Sequence, residues 1–593
     1  MASRQQRVPC LLLILLCPWV TEVRDAQSLW PKPQQWITKR DAYVIDADSF
    51  AFVLGPDSSV GCDIVDQAIT RYRKILQEIA SGACPSWGRE DGKTYVTASL
   101  HRRTHRTSDY FTASEQVAAA GLLPLRNLSI FFRSCATYPS QYMDEMYTLA
   151  IGGVARAFDL RDLLGEQAAS TEEAGEAGEE DRSATLVANT AWGVLRGLES
   201  FVQLTYLEPR RRDGNRRLLV NGSFVLDFPR FTVRAVLIDT SRHFIPLAVL
   251  KQNLDAMAIS KMNAFHWHLV DDQSFPFESR TFPRLHEAGA YDAETAVYRP
   301  SDVAEVIEYA RLRGIRVIPE FDSPGHTLSW GSAQPDLLSV CHDSRGQPLE
   351  ERGPIDPSLE GNYAFLQQLL TEVASVFPDA FLHLGGDEVN MTCWSTNPQI
   401  QRFMQHINVT SVEELEGYYI SRVLEIAASL NKSAVVWQEV LDNGVSLKPD
   451  TLVHVWKWFG TTWQEEMARV TAAGLRVILS APWYLNYIHY GVDWQPFYEA
   501  EPTAFPGSTA QKQLVLGGAA CMWTEFVDGS ELVPRLWPRA AAVAERLWSA
   551  KETRDLTDAR IRLQRHQCFL QQRGIRVEPI NGPSHCPCDH SYL

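Results

Sequence analysis

The sequence predicts an α/β fold in which a (β/α)8 TIM barrel follows a smaller α+β domain. From about Phe231 onward, short apolar runs typical of buried strands alternate with longer helical patterns. Eight such runs fall within about three hundred residues, as a TIM barrel requires. Polar or aromatic residues follow every run, at the edge where barrels of this class build their active sites.

The barrel is predicted to extend over residues 227–593 with a C-terminal extension. Its strands are predicted at 233–238, 264–270, 315–319, 381–384, 434–437, 452–455, 475–479 and 514–522. Helices are predicted at 246–258, 301–312, 364–375, 412–428 and 463–473. A doubly wound open sheet is the alternative, but no glycine-rich nucleotide fingerprint follows the first strand.

Residues 28–226 are predicted to form the smaller domain. Alternating runs indicate strands at 94–98 and 128–132, and amphipathic patterns indicate helices at 67–79 and 190–204. The tract 166–183 consists mostly of Glu, Ala, Gly and Ser, which predicts a disordered, solvated insertion. A functional acidic patch is the alternative interpretation.

Residues 1–27 are predicted to be a secretory signal, because Arg4 and Arg7 precede an apolar run too short to span a bilayer. No later segment is predicted to span a membrane. Removal of Cys10 and Cys17 leaves nine of the eleven cysteines, and Cys521, in an apolar run, is the candidate free thiol. Five glycosylation sequons begin at Asn127, Asn221, Asn390, Asn408 and Asn431.

The charge balance argues against a nucleic-acid partner. The 593-residue chain has 56 basic and 72 acidic side chains, a net charge of −16, and a pI near 5.5. It has no basic surplus to neutralise phosphates.

The stretch 381–388 suggests catalysis. An apolar strand stops at two glycines and is followed by Asp387 and Glu388. A carboxylic acid at a strand end can protonate a leaving oxygen if burial raises its pKa. The alternative is a solvated turn in which the two acids have no function.

The other strand ends favour the catalytic interpretation. They place acids, arginine and tryptophan at one edge, and the indoles are Trp437, Trp456, Trp483 and Trp523. Indole stacks on the apolar face of a pyranose, and charged groups bind its hydroxyls. A pocket for a carbohydrate is therefore the favoured prediction, with ordinary core packing of the indoles as the alternative.

Two other chemistries are less well supported. His266 and His268 lie on one face of a strand and could be metal ligands, but no third ligand is evident and hydrogen-bonded buried histidines are commoner. No Gly-x-Ser-x-Gly motif for a serine nucleophile is present.

The adjacency of Asp387 and Glu388 indicates a particular mechanism. Ordinary glycosidases use two carboxylates about 5 Å apart or more, on opposite sides of the scissile bond. Adjacent residues on a strand point in different directions and are poorly placed for that task. One acid and one orienting group suffice if the substrate's own 2-acetamido oxygen attacks the anomeric carbon.

The chain resembles the β-N-acetylhexosaminidases of glycoside hydrolase family 20, and is similar to the animal lysosomal hexosaminidase subunits. The matching motifs are LIDTSRH at 237–243, FHWHLVDD at 265–272, EFDSPGHT at 320–327, HLGGDEV at 383–389, APWYLN at 481–486 and ACMWTE at 520–525. The resemblance covers nearly the whole chain after the signal. It implies release of terminal non-reducing β-linked N-acetylglucosamine or N-acetylgalactosamine from glycoconjugates by a retaining, substrate-assisted route.

The resemblance also implies a role for each site residue. Glu388 would be the acid and then the base, Asp387 would hold the acetamide nitrogen, and Tyr484 would donate to the acetamide oxygen. The other implied substrate-binding residues are Arg242, Asp271, His326, Trp437, Trp456, Asn486, Trp523 and Glu525.

Family precedent implies no cofactor, no metal, a homo- or heterodimer, and a lysosomal location, with secretion as the alternative. A lipid-presenting activator protein stays open as a partner. Disulfides are implied for Cys62 with Cys135, for Cys341 with Cys393, and for Cys568 with Cys586 or Cys588, while Cys84 has no assigned partner.

One departure affects specificity. The family member that accepts sulfated or sialylated substrates matches this chain at Asn486 but has arginine where Tyr487 stands here. Without that cation we expect a preference for neutral substrates. Two competing hypotheses are a catalytically weak, secreted glycan-binding relative and a barrel glycosidase with a protein nucleophile.

Overall fold

The computed structural model describes residues 28–56, 58–82, 84, 122–152, 182–208, 216–457, 460–487 and 489–588. The predicted signal at 1–27, the predicted strand at 94–98 and residues 166–181 of the predicted insertion lie outside the described residues. Ser183, the last residue of that predicted insertion, begins a strand.

Eight parallel strands close into a barrel, which confirms the predicted fold class. Strands are numbered in chain order, so the eight strands of the N-terminal part precede those of the barrel. The barrel strands are β9 (Val233–Asp239), β10 (Ala264–Val270), β11 (Arg316–Phe321), β14 (Phe381–His383), β15 (Ser433–Trp437), β16 (Leu452–Val455), β17 (Arg476–Leu479) and β18 (Val515–Met522). The barrel closes where β18 pairs with β9.

The N-terminal part of the chain forms a mixed sheet with two helices. Its strands are β1 (Gln35–Ile45), β2 (Ala51–Leu54), β3 (Leu123–Leu125), β4 (Asn127–Phe131), β5 (Tyr147–Ile151), β6 (Ser183–Ala188), β7 (Thr205–Leu207) and β8 (Leu218–Asp227). The strand order is β2-β4-β6-β5-β8-β1-β3, with β7 paired to β8. Helices α1 (Asp63–Ser81) and α2 (Ala191–Gln203) pack against it in one apolar core.

Helices surround the barrel, and the predicted ones are present with ends shifted by a few residues. They are α3 (Leu247–Ile259), α4 (Arg284–Gly289), α5 (Pro300–Arg311), α6 (Leu328–Gly331), α7 (Glu360–Val376), α8 (Thr392–Thr396), α9 (Pro398–His406), α10 (Val412–Ser429), α11 (Glu439–Asp442) and α12 (Trp463–Ala472). Towards the C-terminus follow α13 (Trp494–Glu499), α14 (Thr509–Gln513), α15 (Leu532–Leu536), α16 (Arg539–Trp548) and α17 (Leu556–Gln572). A hairpin of β12 (Leu338–His342) and β13 (Pro348–Ile355) extends one loop.

Two apolar layers hold the barrel. Side chains on the outer face of the strands pack under the helices, and side chains on the inner face fill the interior. The interior cluster includes Leu237, Ile318 and Val435, and it ends in Trp437 and Tyr484 with Trp456 and Trp523 packed on it. The aromatic end of the interior is therefore the floor of any pocket at the carboxyl ends of the strands.

A buried ion triad joins the N-terminal part to the barrel. Glu145, from the loop before β5, pairs with Arg196 on α2 at 2.9 Å and with Arg234 on β9 at 2.6 Å. Burial would raise the pKa of Glu145, but the two guanidinium groups hold it below its usual value. Both guanidinium groups thus pair with Glu145, and further N–H groups of each donate to backbone carbonyls.

Four disulfides are present in the described residues. Cys62–Cys135, Cys341–Cys393 and Cys568–Cys586 confirm the implied pairs and resolve the alternative at Cys568. Cys84, left without a partner by the sequence, pairs with Cys588. Cys521 is a buried free thiol, as predicted. Among the helices that the structure describes, none combines the length and apolar character needed to cross a bilayer.

Candidate active site

Asp387 and Glu388 lie on a tight loop after β14. Gly385 and Gly386 have φ angles of 68° and 90°, a region that favours glycine. A side chain at Gly385 would collide with Asp322, whose Oδ1 would lie 1.7 Å from the added carbon. Asp322 in turn accepts a hydrogen bond from the backbone N–H of Gly386 at 2.8 Å. The two glycines are therefore needed for the loop to turn back against β11.

The two adjacent acids have different environments. The side chain of Asp387 is 11% exposed and that of Glu388 is 57% exposed. Glu388 has a φ of 49°, which is uncommon for a residue with a side chain. Burial, and then the negative Asp387, raise the pKa of Glu388, while His326 opposes them. A reachable carboxyl with a raised pKa is suited to act as a general acid.

Asp322 is the buried neighbour of Asp387. Burial and the charge of Asp387 raise the pKa of Asp322 well above its usual range. A hydrogen bond between the two carboxyl groups raises the pKa of Asp322 further. The Oδ1 atom of Asp387 has no hydrogen-bond partner among the described residues and can accept a hydrogen bond from a ligand.

His326 connects Asp271 to the two acids. Its Nδ1 donates to Asp271 at 3.1 Å, and its Nε2 lies 3.9 Å from Asp387 and 3.8 Å from Glu388. Burial would lower the pKa of His326, but its bond to Asp271 and the nearby charge of Asp322 and Asp387 raise it well above the usual value. His326 is therefore a cation that faces the acid pair.

Arg242, after β9, lies across the opening of the barrel. It bonds Asp239 at 3.1 Å and Asp271 at 2.7 Å, and Glu525 is 3.8 Å away. Its guanidinium carbon lies 5.1 Å from the ring centroid of Trp523. Burial would lower the pKa of Arg242, but these carboxylates raise it, so it is a permanent cation.

Three of the four predicted indoles lie together with Tyr484 and form an aromatic wall. The ring centroids of Trp437 and Trp523 are 6.1 Å apart, those of Tyr484 and Trp523 are 6.4 Å apart, and those of Trp456 and Tyr484 are 6.2 Å apart. Burial raises the pKa of Tyr484 well above its usual value, so the phenol keeps its proton and can donate. Apolar ring faces and one donor suit a sugar with a carbonyl substituent.

Four buried polar atoms at the site have no hydrogen-bond partner among the described residues. They are Oδ1 of Asp387, Nε2 of His326, Oδ1 of Asn486 and Nε1 of Trp523. Buried polar groups are normally satisfied, and groups without a partner at a pocket require an explanation. A polar ligand that bonds to them is the direct explanation.

Two residues at the strand ends have positions that the sequence does not predict. Trp483 was expected to line the pocket, but it belongs to the outer core, and its Nε1 donates to the carbonyl of Phe497 at 2.9 Å. Glu439, for which the sequence predicts no role, accepts a hydrogen bond from Nε1 of Trp456 at 2.7 Å and pairs with Lys457 at 2.9 Å. Burial and Asp387 raise the pKa of Glu439 to about 7.

His266 and His268 both turn to one carboxylate. Nε2 of His266 and Nδ1 of His268 lie 2.8 and 2.7 Å from the same Oε2 atom of Glu320. His266, His383 and His454 approach each other closely enough to hold an ion, but the rings of His266 and His383 are stacked, with an interplanar angle of 24°. Nε2 of His266 and Nδ1 of His383 each face Glu320, at 2.8 and 3.1 Å. The arrangement is the hydrogen-bonded alternative that the sequence left open.

The chain matches two protein-family models. The model described as "Glycosyl hydrolase family 20, catalytic domain" matches residues 231–551, and the model described as "beta-acetyl hexosaminidase like" matches residues 29–204. The first covers the barrel and every site residue named above.

Curated relatives and solved structures agree with these matches. The chain is 43% identical to human beta-hexosaminidase subunit beta over 94% of this chain and 89% of that one. It is 42% identical to rat beta-hexosaminidase subunit alpha, with 94% of each chain covered. The structure of a chitobiase from Flavobacterium johnsoniae aligns with a TM-score of 0.72 and 27% identity, covering 93% of this chain and 74% of that one.

Proposed function

The chain belongs to glycosyl hydrolase family 20, and on that premise we propose a specific division of roles among its site residues. It is a β-N-acetylhexosaminidase that removes terminal non-reducing N-acetylglucosamine or N-acetylgalactosamine by a retaining, substrate-assisted reaction. The main support for the division of roles is the contrast between the exposed Glu388, whose pKa is raised, and the buried Asp387 beside it.

In this proposal Glu388 is the general acid. Its proton passes to the glycosidic oxygen as the bond from that oxygen to the anomeric carbon breaks, and the acetamide oxygen forms a new bond to the same carbon. The product is a cyclic oxazolinium ion. Water then adds to the anomeric carbon, and the bond from that carbon to the acetamide oxygen breaks, which opens the oxazolinium ring. Glu388, now ionised, takes the proton of this water and is regenerated as the acid.

Asp387 and Tyr484 act on the acetamido group. The Oδ1 atom of Asp387, which has no partner among the described residues, accepts the acetamide N–H. The resulting carboxylate contact orients the nucleophile and stabilises the positive charge of the oxazolinium ion. Tyr484 holds its phenolic proton because of burial and donates it as a hydrogen bond to the acetamide oxygen.

The remaining site residues bind the terminal sugar. Arg242 and Glu525 bond its hydroxyls, and the Oδ1 atom of Asn486 accepts from a hydroxyl at the pocket edge. Asp271 and His326 support Arg242 and Glu388. The indoles of Trp437, Trp456 and Trp523 enclose the ring and exclude water.

The proposal includes a preference for neutral substrates. Tyr487 is 46% exposed and stacks on Tyr484 with a centroid separation of 6.0 Å and an interplanar angle of 22°. It offers an aromatic face and a hydroxyl where an arginine would offer a cation. An anionic sugar substituent at this position would gain no ion pair from it.

We assign the protein to the lysosome and to a homo- or heterodimer. The support is the signal-like segment at residues 1–27, the four disulfides, and the likeness to enzymes named as subunits. An activator protein that presents lipid-linked substrate belongs to the same proposal.

A chromogenic N-acetylglucosaminide assay on the wild type and on Glu388→Gln tests the roles. We expect turnover by the wild type and a loss of roughly a hundredfold or more in the variant, since the amide can neither give nor take the proton. A wild type that binds the sugar without cleaving it would identify a glycan-binding protein instead. Full activity in Glu388→Gln would contradict the assignment of the acid.

A further inference from the structure

Glu320 is a fully buried carboxylate at the end of β11, below the floor of the active site. Its Oε1 accepts from the indole N–H of Trp437 at 2.8 Å and lies 3.1 Å from Nδ1 of His383. Its Oε2 faces His266 at 2.8 Å and His268 at 2.7 Å. Burial would raise the pKa of Glu320, but the surrounding imidazoles hold it well below the usual value, so it is ionised.

His268 links Glu320 to the site residues. Its Nδ1 contacts Glu320, and its Nε2 contacts Asp271 at 2.9 Å. An ionised carboxylate only accepts hydrogen bonds, so both ring nitrogens must carry a proton. Burial would lower the pKa of His268, but the two carboxylates raise it to about 10. His268 is therefore an imidazolium held between two carboxylates.

The contacts continue from His268 to Glu388, the proposed acid. Asp271 accepts from His268 on one side and from His326 and Arg242 on the other. His326 then faces Glu388 at 3.8 Å. One line of buried charges of alternating sign thus runs from the barrel interior to the group proposed to give the proton.

We propose that Glu320 and His268 form a buried positioning pair, which orients Asp271 and, through it, His326 and Glu388 for proton transfer. The inference rests on the proposed role of Glu388. Neither member of the pair touches the substrate, and each acts through Asp271.

The pair is unusual for the inside of a barrel. Such interiors are mostly filled by bulky branched apolar side chains. A buried ion pair gains little stability over apolar residues of the same volume, so stability alone gives a weak reason to keep it. Of the contacts of Glu320, the one to His268 continues to Asp271, which is the direction that a positioning role requires.

Paired variants at His268 separate the two links. In His268→Asn the amide nitrogen replaces Nδ1, so the bond to Glu320 is retained and the bond to Asp271 is lost. In His268→Gln the amide nitrogen replaces Nε2, so the bond to Asp271 is retained. His266→Asn is the matched control, because His266 donates to the same oxygen of Glu320 through Nε2 and, among the described contacts, has none to Asp271.

The readout compares two substrates in the full-length protein. An aryl N-acetylglucosaminide with a good leaving group needs little acid catalysis, whereas a β-linked N-acetylglucosamine disaccharide depends on it. For His268→Asn we expect kcat/KM on the disaccharide to fall roughly tenfold or more beyond its fall on the aryl substrate, with partial rescue in His268→Gln. For His266→Asn both substrates should lose the same factor.

Equal losses on both substrates in His268→Asn and His266→Asn would overturn the inference, because a merely structural role affects both substrates alike. An inactive wild type would instead overturn the proposed function. If the His268 variants do not fold, neutron diffraction on the wild type at neutral pH tests the inference by locating the deuterons on His268. Deuterons on both ring nitrogens of His268 support the link, and a single deuteron refutes it.

Discussion

The Nε2 atom of His326 lies 3.8 Å from the Oε2 atom of Glu388. At this distance the imidazolium acts on the acid by its charge, and it opposes the increase in pKa that burial and Asp387 cause. The pH at which Glu388 loses its proton is therefore set by residues from two neighbouring strand ends.

Replacing His326 by asparagine should move the alkaline limb of the activity profile to higher pH. Asparagine tolerates the positive φ of 55° at this position, but it has no charge. Removing the cation that lowers the pKa of Glu388 lets that pKa increase, so the protonated acid persists to higher pH. The profile of kcat/KM against pH reports this group in the free enzyme.

We also expect the maximum kcat/KM of His326→Asn to fall by roughly ten- to a hundredfold, because Glu388 loses its orienting neighbour. His342→Asn is the control, since His342 lies on the hairpin strand β12, away from the site, where Nδ1 of its ring bonds the carbonyl of Val340. A limb that stays in place or moves to lower pH in His326→Asn would contradict this account of the charge.

We expect Asp322 to contribute to kcat through the hydrogen bond that it donates to Asp387. Asp322→Asn keeps an N–H donor for Asp387 and should lower kcat by roughly tenfold, whereas Asp322→Ala should lower it by roughly a hundredfold. KM should change less than kcat, because Asp387 acts on the charge that develops in the transition state. Equal losses in the two variants, with unchanged melting temperatures, would show that the donated hydrogen bond is not what matters.

Tyr484→Phe tests the donor to the acetamide oxygen. Losing one preorganised donor at a developing charge typically reduces kcat by about 10²–10³-fold, and the aromatic wall is retained. Tyr142→Phe is a matched control at the opposite end of the barrel, where Tyr142 contacts Arg476 at the start of β17. Wild-type turnover in Tyr484→Phe would remove the tyrosine from the mechanism.

Tyr487→Arg tests the preference for neutral substrates. The new guanidinium should increase kcat/KM for a 6-sulfated aryl N-acetylglucosaminide by roughly tenfold relative to the unsulfated substrate, because it can bond the sulfate in a bidentate manner. The ratio of the two kcat/KM values is the measurement. A wild type that already favours the sulfated substrate would contradict the proposal.

Most of the fold follows from periodicity in the sequence. The eight apolar runs and the helices between them predict the barrel, and all eight strands occur within a few residues of their predicted positions. The stop after β14 is also evident from Gly385 and Gly386. The positive φ of Glu388 is not, because it depends on how tightly the loop turns against Asp322.

The site is less completely predictable. Alternation along a strand says which side chains share a face. Trp483 lies beyond the end of β17, so its direction depends on long-range contacts such as the hydrogen bond from its Nε1 to the carbonyl of Phe497. Glu320 and Asp322 are two residues apart and visibly share a face, a signal that could have identified both as parts of the site. The disulfide between Cys84 and Cys588 joins residues 504 positions apart, and no local pattern specifies such a pair.

The central claim is that the attacking atom belongs to the substrate, with one proton donor and its buried neighbour guiding the reaction. Aryl glycosides whose acetyl group bears none, one, two or three fluorine atoms test it most directly, since fluorine withdraws electrons from the acetamide oxygen. We predict that kcat/KM declines stepwise across the series. If kcat/KM stays the same across the series and a glycosyl ester is trapped on a carboxylate of the chain, the account is contradicted.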